Sequence, residues 1–387
     1  MKRIYSIFLI LIPVVLLGLA VNNTDLGSRV RRKIQTILPS FKSHPLYIPV
    51  PATVSQESLD ALSLQKISSQ SAKVEPTLAK PSSHYLSNLH HQYQTWNNCG
   101  PATLSMTLGF FGLPQTQKDI APFVKPDPED KNVSPQELVE YVQKQTTLKV
   151  IYTFNADLLK LKLLNSNNIP VMVETWYEPH PNDGMGHYQL VEGYDESKKE
   201  FSLFDSFKGP HISISEDKLD GYWKAFNRTI LVIYPKEKEE VVKKILGESI
   251  SIESALPASL ENAKTEIAKD QNDTFAWFNL GTTYSLMGKH TEAASAFDKA
   301  RTLNLPWRML WYQFRIFDSY LAVDRFQDVY DLTTLNLRQA NNLEESLYYR
   351  ARAERQLDKK DQARLDLKQA LKYNKFYTKA EEELRVL

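Results

Sequence analysis

His91-Gln92-Tyr93-Gln94-Thr95-Trp96-Asn97-Asn98-Cys99-Gly100-Pro101-Ala102-Thr103-Leu104-Ser105-Met106 is the stretch on which the reading of this chain turns. Cys99 is the only cysteine in 387 residues. The Asn97-Asn98 pair before it is turn chemistry. Gly100 and Pro101 after it suit a sharp bend into a first helical turn. From Thr103 to Phe111 the residues are apolar or small, as in a buried helix. Cys99 is therefore expected at a helix N-terminus, where unpaired N–H groups and the helix dipole favour a thiolate over a thiol. Gln94, five positions upstream, has a side-chain amide able to donate to an oxyanion beside the sulfur. A lone cysteine is otherwise read as a small buried hydrophobe. The residues around this one point the other way.

Working outward, a Ser134-Pro135-Gln136-Glu137 capping box starts a helix, and Thr116 opens a shorter one before it. Leu148 to Phe154 reads as a strand, and Asn155 as the cap of a Leu-rich helix running to about Asn165. Strands are expected at Ile169–Trp176, His187–Tyr194, Phe201–Ser206 and Thr229–Tyr234, with a helix from Glu216 to Phe226 capped by Ser215. Helices first and then mostly neighbouring strands is the α+β pattern.

Two strands carry the chemistry. A hairpin closing at Asp195 to Lys198 sets His187 directly opposite Asp205 on one face, with Cβ atoms roughly 4.5–5.5 Å apart. His187 is then placed to take the thiol proton and later protonate a leaving amine. Asp205 fixes the His187 tautomer and steadies the imidazolium.

Gln-x4-Cys-Gly-Pro-Ala at the head of a helix resembles the papain-like cysteine peptidases of the bacteriocin-processing, double-glycine-leader type and the secreted bacterial domains related to them. In that family a His and then an Asp follow the Cys. The resemblance spans residues 84–235 and implies an α+β papain-like fold that hydrolyses peptide bonds with Cys99, His187, Asp205 and Gln94. Trp96, Trp176 and Gly186 are expected to line the substrate groove. His180 and Asp183, in a Pro/Gly loop, read as solvated loop residues rather than metal ligands. His90-His91 resembles a strand lead-in. Two other classes share the features: an inactive scaffold of the same fold, and acyl transfer or amidase chemistry on the same three residues.

The net charge of +1 argues against a nucleic-acid surface. One cysteine leaves no intramolecular disulfide and no cysteine-based zinc cluster, and no cofactor or metal is implied. No Gly-x4-Gly-Lys-Ser/Thr occurs, so the ATPase of leader-peptidase exporters is missing from the sequence.

Residues 1–33 read as a signal-anchor or transmembrane segment. Lys2 and Arg3 precede an uncharged run of 18 residues, Ile4 to Val21, and Gly18-Leu19-Ala20 offers a cleavage site. Arg29, Arg31, Arg32 and Lys33 follow the run and by charge count favour a cytoplasmic C-terminal side. The tripartite layout favours export, giving an extracytoplasmic or secreted domain. Residues 34–83 form a Pro/Ser-rich linker.

After a charged helical connector at 236–272, Trp277, Leu280, Gly281, Tyr284, Gly288, Ala293, Phe297 and Ala300 follow the spacing of a tetratricopeptide repeat. A last unit begins near Leu347, with Ala351, Ala363, Leu367 and Ala370 at matching places. A degenerate middle unit fills about Met309 to Asn341. Residues 273–387 are thus expected to form about three all-α repeats, a surface that binds a protein or peptide partner.

Overall fold

A computed structural model describes residues 80–178 and 183–387. The expected signal-anchor, nearly all of the 34–83 linker, and His180 lie outside the described residues. Among those described, no helix is long and apolar enough to cross a membrane.

The first half is an antiparallel sheet with helices on both faces. In chain order its elements are β1 (Ser83–Tyr85), α1 (Cys99–Phe110), α2 (Gln117–Val124), α3 (Pro135–Gln145), β2 (Lys149–Thr153), α4 (Leu158–Ser166) and β3 (Val171–Tyr177). They continue as β4 (Met185–Asp195), β5 (Glu200–Asp205), β6 (Gly209–Ser215), α5 (Glu216–Lys224), β7 (Ile230–Tyr234) and α6 (Glu239–Leu246). The strand order is β2-β7-β3-β4-β5-β6, with β1 on β4.

Strand alternation explains the layers. Met172, Leu190, Phe204, Leu231 and Ile233 face α1, α2 and α3. Their neighbours Val171, Val173, Val191, Leu203 and Val232 face α4, α5 and α6. Both faces being covered, the central strands read as nearly continuous apolar runs. The helix starts follow local rules. Ser134 accepts from Glu137 N–H and Glu137 from Ser134 N–H, closing the capping box that starts α3. The cap of α4 is Asp157, which accepts from Lys160 N–H, and not Asn155, whose φ of +57° puts it outside the helix.

Two strands have no counterpart in the sequence reading. β1 is three residues long, and β6 (Gly-Pro-His-Ile-Ser-Ile-Ser) hides its alternation behind a Pro and a left-handed His211. The stretch expected as a connector is split. Val242, Ile245 and Leu246 of α6 pack into the sheet's core, and only α7 (Ile252–Lys269) begins the helical stack.

The second half is helical: α8 (Thr274–Leu286), α9 (His290–Thr302), a 3-10 turn at 307–311, α10 (Arg315–Ala322), α11 (Phe326–Gln339), α12 (Glu344–Gln356), α13 (Lys360–Tyr373) and α14 (Thr378–Arg385). Helices pack as successive neighbours around one core. Gly281 is required where α8 meets α9: a Cβ there would lie 2.7 Å from the Phe297 ring. The 3-10 turn and the short α10 set the middle pair apart from its neighbours.

The two halves meet through polar and aromatic contacts. Asn132 donates to Glu345 at 2.9 Å, Asn342 to Asp127 at 2.7 Å, and Arg228 to Glu266 at 2.6 Å. Trp176, Ala225 and Phe226 share an apolar cluster with Phe275, Met309 and Tyr312.

Candidate active site

Cys99 is the first residue of α1, and the turn before it is held in an uncommon shape. Asn97 has φ +55°, a left-handed value that Asn tolerates better than most residues. Lys125, only 2% exposed, donates from Nζ to the Asn97 carbonyl at 3.2 Å and to the Asp130 carbonyl at 2.9 Å. A buried lysine thus anchors the turn before Cys99. Nothing in the sequence distinguishes Lys125 from its surface counterparts.

His187 and Asp205 are brought together, but not by the expected register. The β4–β5 turn runs over residues 196–199, and a bulge at Glu192 takes up one residue. Asp205 therefore pairs with Gln189, and His187 stands two residues beyond, on the diagonal. Diagonal neighbours remain within reach of a long side chain. His187 Nε2 lies 2.9 Å from Asp205 Oδ1, and Gln189 Nε2 donates to Oδ2 at 2.8 Å. The Phe207 and Lys208 N–H groups also donate to Oδ1, at 2.8 and 2.9 Å. The carboxylate is wholly buried. Burial opposes its charge, yet the His187 ring and these donors hold it well below the usual carboxylate range.

With Nε2 on Asp205, Nδ1 is the ring nitrogen left for Cys99, whose sulfur interacts with His187. Burial pushes the Cys99 thiol up. The hydrogen bond and charge of His187, with the N–H groups of Tyr188 and Gly100, outweigh it and leave the thiol below its ordinary value. Burial likewise opposes a charged His187, but the Asp205 carboxylate and then Cys99 push it up to about 10. The arrangement favours a thiolate–imidazolium pair.

Gln94 is stitched to the strand end that carries Asp205. Its N–H donates to the Ser206 carbonyl at 2.8 Å, and its Oε1 accepts from Ser206 Oγ at 2.9 Å. This orientation leaves the amide nitrogen as the end that can donate elsewhere. His91, read only as a strand lead-in, bonds the Asp205 carbonyl through Nε2 at 2.9 Å.

The groove residues divide. Trp96 is partly exposed and donates to Glu129 at 3.0 Å. Trp176 does not line a groove: it is 4% exposed in the aromatic cluster between the halves. Its neighbour Tyr177 stands 5.8 Å from the His187 ring, because successive strand residues face opposite ways. Gly186 is partly exposed and meets Phe226 and Tyr312. Asp183 is tied to Arg308 at 2.5 Å. Among the described residues, no group of three His, Cys, Asp or Glu side chains is placed to hold a metal ion. The sequence reading missed Glu174. This β3 carboxyl is 5% exposed, and burial, reinforced by the charge of Cys99, raises it well above its usual range.

This region has a C39-like cysteine peptidase fold: residues 84–231 match the model of the Peptidase_C39 like family. Among solved structures, the chain is similar to a protein described as a C39-like peptidase from Bacillus anthracis. The identity is 15% and the TM-score 0.33, over 40% of this chain and 98% of that one. It is also similar to the peptidase domain of Streptococcus ComA, described as a bi-functional ABC transporter involved in a quorum sensing pathway. There the identity is 18% and the TM-score 0.31, over 40% of this chain and all of that one. No curated protein matches.

Proposed function

We infer that this chain is a membrane-tethered, extracytoplasmic cysteine peptidase whose helical half docks a protein or peptide partner. The observation that carries the reading is the hydrogen-bonded pair His187–Asp205, with Cys99 interacting with His187, within the stretch matching the peptidase family. The Cys99 thiolate attacks the substrate carbonyl carbon. The oxyanion that forms accepts from the Gln94 amide and from the Cys99 N–H, a first-turn donor with no partner inside the helix. The His187 imidazolium then gives its proton to the leaving amine as the C–N bond breaks, leaving a thioester on Cys99. Water, deprotonated by His187, hydrolyses that thioester and restores the thiol. An amine in place of water would make the same site an acyltransferase.

The repeat reading rests on Trp277, Gly281, Ala293 and Phe297 occupying buried positions between α8 and α9. The tether rests on the uncharged run Ile4 to Val21. Proteome-wide cleavage-site profiling of wild type against Cys99→Ala tests the activity. New peptide termini that require Cys99 are expected; identical profiles in an otherwise folded variant would sink the peptidase reading in favour of a scaffold.

A further inference from the structure

Pairing of β4 with β5 stops at Gln189–Asp205, so among the described residues no strand covers the outer edge of β4 from 185 to 188. In an antiparallel strand every second residue points its N–H and C=O to the same side. Gly186 and Tyr188 therefore share that edge. Tyr188 lies beside Cys99 and α1: its N–H favours the Cys99 thiolate, and its carbonyl accepts from Thr103 Oγ1 at 3.2 Å. Gly186 meets the side chain of Tyr312 instead. Two residues of strand span roughly 7 Å. Tyr312, packed on Gly186, thus stands about that far along the same edge from Tyr188.

Tyr312 belongs to the helical half, directly after the 3-10 turn. Its ring lies 3.1 Å from where a Cβ on Gly186 would be, and meets Phe226 edge-on at 6.1 Å. It is partly exposed, as are Cys99 and Gly186. Arg308, from the same turn, holds Asp183 at 2.5 Å and reaches the Gly184 carbonyl at 3.5 Å. The helical half is therefore fastened to the start of β4.

We propose that Tyr312 is a specificity-determining residue: by packing on Gly186 and walling the β4 edge, it limits an extended substrate to about two residues on one side of the scissile bond. The substrate class is a peptide cut close to a chain end or to a sharp turn. This rests on the peptidase reading for its biological meaning, but the wall itself is testable at the thiol.

The test uses the full chain and Cys99 as the sole alkylation site. Iodoacetyl-glycinamide and iodoacetyl-tetraglycinamide extend toward the leaving-group side. Acetyl-glycyl and acetyl-tetraglycyl chloromethyl ketones extend toward the acyl side. In wild type the long member of one pair should react at least about tenfold more slowly than its short member. Tyr312→Ala should bring that ratio to within about twofold of one, whereas Tyr312→Phe, which keeps the ring, should retain most of the penalty. If Tyr312→Ala does not fold, Tyr312→Leu replaces it. Long-to-short ratios near one for both pairs in wild type, or a penalty that the small variants do not relieve, would overturn the proposal. A ratio that behaves as expected with no Cys99-dependent cleavage in cells would leave the wall standing and sink the peptidase reading instead.

Discussion

Replacing His187 with Ala should move the pH midpoint of Cys99 alkylation from below the ordinary thiol range to that range or above it. Burial acts first on this thiol and raises it. The His187 hydrogen bond and charge are the next influences, and without them only the Tyr188 and Gly100 N–H groups still favour the thiolate. A thiol near pKa ~8.5 is only about 3% ionised at pH 7, so the reactive fraction should fall about thirtyfold or more from a largely ionised wild type. The rate at one pH falls by less, because a thiolate of higher pKa is intrinsically more nucleophilic. The midpoint of a rate-against-pH curve is therefore the right readout. Iodoacetamide labelling followed by intact-protein mass spectrometry from about pH 4 to 10 measures it, and no second cysteine confuses the signal. A His187→Ala midpoint that stays below pH 7 would refute the reasoning, showing that the helix N-terminus and backbone amides ionise Cys99 unaided. A wild-type midpoint near 8.5 would show that the site is not assembled.

Further outcomes follow from the same geometry. Asp205→Asn removes the charge that lifts His187 to about 10, so the alkaline limb of kcat/KM should shift down toward the ordinary imidazole range; an unmoved limb would count against the pair. Gln94→Ala should lower kcat on the order of a hundredfold with little change in the alkylation midpoint, because an oxyanion donor acts only on developing charge. Glu137 is pushed up to about 7 by burial at the contact with Asn374, while an unfolded glutamate titrates near 4.5. Its folded pKa being the higher, stability should fall as pH rises from about 4.5 to 7 and level off above. The loss is on the order of 3 kcal/mol at most. Glu137→Gln keeps the capping acceptor and should flatten that slope in melts at pH 5 and pH 8; an unchanged slope would place the proton elsewhere. Protease added to intact spheroplasts should digest residues 34–387, whereas protection until lysis would support the cytoplasmic orientation suggested by Arg29 to Lys33.

What the sequence determined by itself is local. The α1 start at Cys99, the Ser134–Glu137 capping box and the apolar runs of β3, β4 and β7 are each written in residues a few positions apart. So is the close packing at Gly281, because a helix pair's small-residue spacing is a local pattern. The tertiary structure alone decided which residues meet. The diagonal register of His187 and Asp205 depends on where the turn closes and on the bulge at Glu192, neither of which has a distinct local signal. Whether Trp176 or Tyr177 faces the site is a matter of strand phase, and one residue reverses it. Lys125 beneath Asn97, Glu174 beside Cys99 and Tyr312 against Gly186 come from other elements altogether. Their contacts are long in sequence and short in space, set by how the sheet, its helices and the second half pack together.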